Sequence, residues 1–233
     1  MSLDNMGVGD KGIVESLLSY WKLDAERDEK SLVIPDGCRD LIFKICPGKR
    51  PIWFLSDLED STYQVPIAKG DRFRGYRLKP GTNVQDQQLL QSLNGLWDDS
   101  KAMPALSGDD ISSRLEAFTG LKRELDQALS CLASGVLNVD QAAKLLGVSV
   151  RTLHRHIRKE TGKPPLFWIR LARIRKTGRA LKCSRSLAEI SYDYGFSDQA
   201  HMSREFQKWL SISPSALRLG GVQGKQLLEL GYD

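Results

Sequence analysis

Apolar residues recur at every second position in the first third of the chain, most clearly as Leu41, Phe43 and Ile45 and again as Tyr63, Val65 and Ile67. That period places each trio on one face of a β-strand. Five segments read as strands, 31–35, 40–46, 52–55, 62–68 and 72–78. Pro35-Asp36-Gly37, Pro47-Gly48, Lys69-Gly70-Asp71 and Pro80-Gly81 punctuate them with residues that preset or permit turn backbones. The expectation is an antiparallel sheet or barrel. Trp21, Trp53, Phe54, Phe73 and Tyr76 are candidates to line a ligand pocket there, with core filling as the plainer role.

Beyond Gly81 the apolar period lengthens to that of a helix, predicting helices over 84–97 and 110–118. A further helix over 121–132 carries Leu121, Leu125, Ala128 and Leu132 as one apolar stripe. It reads as the first helix of a second domain, with the boundary near Thr119 and Gly120.

The carboxy-terminal half contains a duplication. At a shift of 49 residues Leu153 falls on Met202, Arg155 on Arg204, Ile157 on Phe206, Lys159 on Lys208 and Pro165 on Pro214. Upstream the shift is 48, with Ala143 on Ser191 and Gly147 on Gly195. Each copy reads helix, glycine turn, helix. In copy one Asn138 caps a helix reaching Leu146, Gly147 makes the turn and Ser149 caps a second helix to about Glu160. Copy two opens with Ser186 and Glu189 at capping-box spacing, turns at Gly195 and continues as a helix from Asp198 to Leu210. Two helices joined by a short turn form the helix-turn-helix motif.

At 100° per residue, Leu153 and Ile157 face inward while Arg151, Arg155 and Arg158 share an arc of about 60° on the opposite side. In copy two Met202, Phe206 and Trp209 face inward, with Ala200, Arg204 and Lys208 turned away and Gln199, His201 and Ser203 on the flanks. Arginine forks suit phosphates or the O6 and N7 acceptors of guanine, and Gln199, His201 and Ala200 suit base edges and a thymine methyl. Between the copies, 166–182 reads as one connecting helix of roughly 25 Å, a spacer able to hold two reading helices at major-groove faces ~34 Å apart.

Charge sharpens this picture. The 233 residues carry a net +5, but residues 1–130 hold 17 basic against 21 acidic side chains and residues 131–233 hold 17 against 8. Within 151–185 stand 12 basic residues and one acid, Glu160. Such asymmetry is the footprint of a nucleic-acid-binding domain. Composition, at 41% hydrophobic and 27% charged, is that of a globular protein. No apolar run approaches the roughly 18 residues of a membrane helix, and the polar start with Asp4 and Asp10 lacks a signal-peptide pattern, so a cytoplasmic protein without membrane contact is expected. Cys38, Cys46, Cys131 and Cys183 are scattered without metal-ligand or disulfide spacing, and no metal or cofactor is expected.

The stretch Ser149-Val150-Arg151-Thr152-Leu153-His154-Arg155-His156-Ile157, followed by Thr161-Gly162-Lys163-Pro164-Pro165 and Arg170-Leu171-Ala172-Arg173-Ile174, resembles the first half of the AraC/XylS DNA-binding domain. Gly195-Phe196-Ser197-Asp198-Gln199-Ala200-His201-Met202-Ser203-Arg204-Glu205-Phe206-Gln207-Lys208 with Ser213-Pro214 resembles that family's second motif. The resemblance covers about 121–219 and implies a bacterial transcription regulator binding double-stranded operator or promoter DNA, with RNA polymerase as a further partner. It implies that Val150, Arg151, His154 and Arg155 read bases in motif one, and Gln199, Ala200, His201, Ser203 and Arg204 in motif two, with Arg158 and Lys208 beside them. Ser211 stands where the family has a helix-ending glycine, and Gly178 lies inside the connecting helix.

Pro35-Asp36-Gly37-Cys38 followed by Asp40-Leu41-Ile42 resembles, less specifically, the cupin-like sensory barrel of some members. The implied fold is α+β in two domains. An antiparallel β-barrel with helices over 1–119 would bind a small effector or form a homodimer, an all-α double helix-turn-helix domain would follow over 120–220, and a tail over 221–233. Two rivals stand against this. One is an enzyme using Cys38 as an acceptor thiol, but Asp36 and Asp40 nearby would raise its pKa rather than activate it. The other is an architectural DNA binder reading shape alone, against which the uncharged Gln199 and Ala200 on the reading face argue.

Overall fold

The computed structural model describes residues 14–95 and 108–233. Residues 1–12 and Trp97, at the end of the helix predicted over 84–97, lie outside them. The chain forms two compact units, one of Met1–Glu29, Arg39–Asp57 and Pro66–Lys122, the other of Lys30–Cys38, Leu58–Val65 and Arg123–Asp233.

Strands β1 (Leu17–Asp24), β2 (Glu29–Val33), β3 (Asp40–Ile45), β4 (Ile52–Leu55), β5 (Tyr63–Ile67) and β6 (Arg72–Leu78) come first. β7 (Asn83–Val84), α1 (Asp86–Asn94), α2 (Gly108–Phe118) and β8 (Thr119–Gly120) follow. The first unit is built on an antiparallel sheet in the order β1-β6-β3-β4. The predicted barrel is not closed: the sheet ends at β1 and β4, and β2 pairs with β5 in a ribbon of its own. Leu41, Phe43 and Ile45 do share one face, packed with Trp53, Leu78, Leu89, Leu93, Ile111 and Leu115. The second trio is uneven, since Ile67 is buried while Tyr63 is exposed.

The predicted aromatic pocket is divided by the register. Phe43 pairs with Trp53 and with Arg74, placing Trp53 and Tyr76 on the face covered by α1 and α2. Trp21 pairs with Gly75, Leu23 with Phe73 and Ile42 with Phe54 and Gly75, which turns Trp21, Phe54 and Phe73 to the other face. The five therefore cannot line one cavity, because adjacent strand positions point to opposite sides of a sheet. The sequence pattern also lacked β1, whose residues Leu17–Leu23 are all half-buried and show no inside-outside alternation.

The second unit contains α3 (Arg123–Ala133), α4 (Val139–Leu145), α5 (Val150–Thr161), α6 (Pro165–Ala180), α7 (Leu187–Asp193), α8 (Gln199–Leu210), α9 (Pro214–Arg218) and α10 (Val222–Gln226). Leu125, Leu129, Leu132, Leu153, Ile157, Trp168, Leu171, Ile190, Met202 and Phe206 share one core. α6 lies in its middle and is buried nearly all round, the pattern of an internal helix. No helix among the described residues is long and apolar enough to cross a membrane.

Both chain ends of this unit are packed into it. Ile34 belongs to its core, and Tyr232 of the last three residues is buried, donates its hydroxyl to the Leu129 carbonyl and its N–H to the Asp36 carbonyl. Residues 35–38, expected as sheet punctuation, thus lie within the helical unit. Gly178 has a packing reason: a Cβ there would come within 2.6 Å of Leu227. The roughly 1 kcal/mol propensity cost of glycine relative to alanine in a helix is the condition for that approach.

Candidate nucleic-acid interface

The two copies fold alike. Asn138 and Ser149 cap α4 and α5, and Ser186 and Asp198 cap α7 and α8, each by accepting a backbone N–H three residues on. The turn glycines Gly147 and Gly195 have φ of +66° and +71°. After each, one N–H reaches back five residues, from Val148 to the Ala143 carbonyl at 3.0 Å and from Phe196 to the Ser191 carbonyl at 2.9 Å. These closures repeat at the 48-residue shift that the sequence shows. One residue later in register, Gly162 and Ser211 end α5 and α8 with left-handed backbones.

This scaffold fixes what each second helix shows to solvent. Leu153 and Ile157 are buried, and Arg151, His154, Arg155 and Arg158 are exposed on α5. Val150 is half-buried against the core. On α8, Met202, Phe206 and Trp209 are buried, and Gln199, Ala200, Arg204 and Lys208 are exposed. Two expected readers have local work. The Nδ1 of His201 accepts from the Ser197 N–H at 3.2 Å and faces its hydroxyl at 3.1 Å, while its ring meets Phe196 edge-on. Accepting at Nδ1 leaves Nε2 as the position able to carry the proton of the neutral ring. The Ser203 hydroxyl donates to the Gln199 carbonyl at 2.9 Å.

The basic side chains fall into two groups that a charge count merges. Those on α5 point outward. Those on α6 mostly hold helix ends, whose last carbonyls have no partner inside their own helix. Lys176 donates to the Ala133 carbonyl at 2.6 Å, where α3 ends. Arg179 donates to the Leu227 carbonyl at 2.7 Å just past α10 and pairs with Asp233. Arg175, fully buried, donates to the Glu229 carbonyl at 2.9 Å. Arg173 reaches the Leu137 carbonyl at 3.2 Å and lies 5.6 Å from the centre of the Phe196 ring. Arg218 of α9 donates to the Leu181 carbonyl at 3.1 Å, beyond the end of α6. Sequence reasoning missed these roles, since their partners are backbone atoms whose nearness only the fold creates.

Acid groups at the caps of copy two are held in their charged form. The His201 N–H bonded to Asp198 lowers its pKa, and the Ser186 hydroxyl bonded to Glu189 does the same there. None of the cysteines forms a disulfide, and Cys38 is buried with its N–H on the Asp36 carboxylate. Among the described residues no cluster of His, Cys, Asp or Glu has the geometry to hold a metal ion.

Two capped helix-turn-helix units bridged by a buried helix, each with a polar and basic second helix facing solvent, define a class of nucleic-acid-reading domain. Residues 142–220 match the family described as "Helix-turn-helix domain". The chain is 35% identical over 85 residues to the HTH-type transcriptional activator RhaS of Escherichia coli O139:H28, covering 36% of this chain and 31% of the relative. It is 29% identical over 151 residues to the RhaS of Salmonella schwarzengrund, covering 57% of this chain and 54% of the relative. The chain thus spans about a third to a half of the length of these relatives. A solved transcriptional regulator from Chromobacterium violaceum, described as having an AraC-type DNA-binding domain, matches with 26% identity and a TM-score of 0.39, covering 46% of this chain and 95% of that one. Over residues 142–220 the carboxy-terminal domain is thus a helix-turn-helix domain.

Proposed function

We propose that the chain is a sequence-specific transcription regulator, an activator, that binds duplex DNA through α5 and α8. The observation that carries this reading is the pair of exposed polar faces, Arg151, His154, Arg155 and Arg158 on one helix and Gln199, Ala200, Arg204 and Lys208 on its duplicate, set on a domain of matching family. Val150, Arg151, His154 and Arg155 read one half-site. Gln199, Ala200, Arg204 and the outer edges of His201 and Ser203 read the other. Arg158 and Lys208 contact phosphates. α6, 16 residues and about 24 Å long, spaces the two. In this reading the amino-terminal domain, cupin-like in function if open in form, takes a small effector or joins two copies, and RNA polymerase is the partner on cytoplasmic promoter DNA.

The test is selection of binding sites from random duplexes, followed by Arg155→Ala and Arg204→Ala in the full chain. Each is expected to cost about 1–3 kcal/mol on the selected site and to relax preference within its own half-site. Equal losses on selected and random DNA for both variants would establish the shape-only binder instead.

A further inference from the structure

The segment Leu58–Val65, the loop before β5 and the strand's first residues, is far from the helix-turn-helix motifs in sequence and closes a circuit of contacts with the far ends of both reading helices. The Trp209 carbonyl lies in the last turn of α8, where the helix itself supplies no donor. It accepts from the Thr62 N–H at 3.1 Å and from the Thr62 hydroxyl at 2.8 Å. Two residues earlier in the loop, Asp60 pairs at 3.2 Å with Lys163, which directly follows the Gly162 cap of α5. Lys163 lies 5.2 Å from the centre of the Phe167 ring, and Phe167 packs on Trp209 with ring centres 5.3 Å apart. Asp60, Lys163, Phe167, Trp209 and Thr62 therefore tie the end of α5 to the end of α8. The matched helix-turn-helix region, 142–220, does not contain the loop.

We infer that Thr62, supported by Asp60, is a positioning residue for DNA recognition, an external cap that sets how α8 sits relative to α5 and hence the half-site spacing the protein accepts. This rests on the DNA-reading function proposed above. Thr62 carries the larger share, because the Asp60 carboxylate is mostly exposed and an exposed ion pair contributes little. A rigid pair of reading helices prefers one spacing, whereas a pair whose ends are released tolerates several, at a cost in affinity for the best site.

The test uses the full chain with Thr62→Val, which removes the hydroxyl and keeps the shape, and Thr62→Ser, which restores the donor. Without DNA, amide exchange in the last turn of α8 is expected to rise about threefold to tenfold in the valine variant, the range of one net hydrogen bond, with α3 and α4 unchanged and the serine variant near wild type. On duplexes selected by the wild type, the valine variant is expected to lose a similar factor on the complete site, to lose nothing on a single half-site, and to discriminate less against one inserted base pair. Unchanged exchange at α8, a uniform rise across the unit, or equal losses on complete and half-sites would each overturn the inference. Should no duplex be selected at all, the regulator reading fails, and the exchange measurement still decides whether Thr62 holds α8.

Discussion

Separating outward-facing from helix-pinning cations leads to a quantitative expectation. Arg158 and Lys159 are exposed on α5 and Lys208 on α8, whereas Lys176 spends its ammonium on the Ala133 carbonyl at 2.6 Å. Each phosphate contact removed should lower the steepness of log affinity against log salt by about 0.9. Replacing Arg158, Lys159 and Lys208 with alanine should therefore reduce the slope by about 2.7, if each neutralises one phosphate. Between about 50 and 200 mM salt, the wild type would then lose roughly fortyfold more affinity than the variant. Lys176→Ala should leave the slope unchanged. It should instead destabilise the fold by about 1.5–3 kcal/mol, the worth of a hydrogen bond to a charged group, and lower the melting temperature by several degrees. Fluorescence anisotropy across a salt series on one duplex, beside thermal unfolding of each variant, reads both quantities. A slope that drops as much for Lys176→Ala as for a single α5 substitution, or an unaltered slope in the triple variant, would refute the division.

Two further outcomes follow from the helix ends. Ser211 holds φ at +53°, alone among the described non-glycine residues in the left-handed region, so Ser211→Gly should stabilise the protein by about 0.5–1 kcal/mol and raise the melting temperature by a few degrees; a lower melting temperature would contradict it. The caps of copy one, Asn138 and Ser149, do not titrate in acid, but copy two relies on Glu189 and Asp198, whose folded pKa values lie below the ordinary 4.5 and 3.8. Their contribution is complete above those ordinary values and is lost as pH falls through the depressed ones, so residue-resolved amide exchange in acid should show α7 and α8 fraying before α4 and α5.

Much of the carboxy-terminal domain was legible because its determinants are local. Caps at Asn138, Ser149 and Ser186, turns at Gly147 and Gly195, and the 3.6-residue stripes of α5 and α8 each depend on residues within one or two turns, and the structure keeps them where periodicity and spacing put them. The exposed faces followed, since a helix with Leu153 and Ile157 buried has no choice about where Arg151 and Arg155 point. What tertiary structure alone decided is long-range. Whether strands close into a barrel depends on pairing between distant segments, and here β2 and β5 leave the main sheet. Ile34, Thr62 and Tyr232 join the helical unit through contacts that no sequence period encodes. Arg175 and Lys176 carry the same formal charge as Arg155, and only the carbonyls that folding brings within reach make them structural rather than available to DNA.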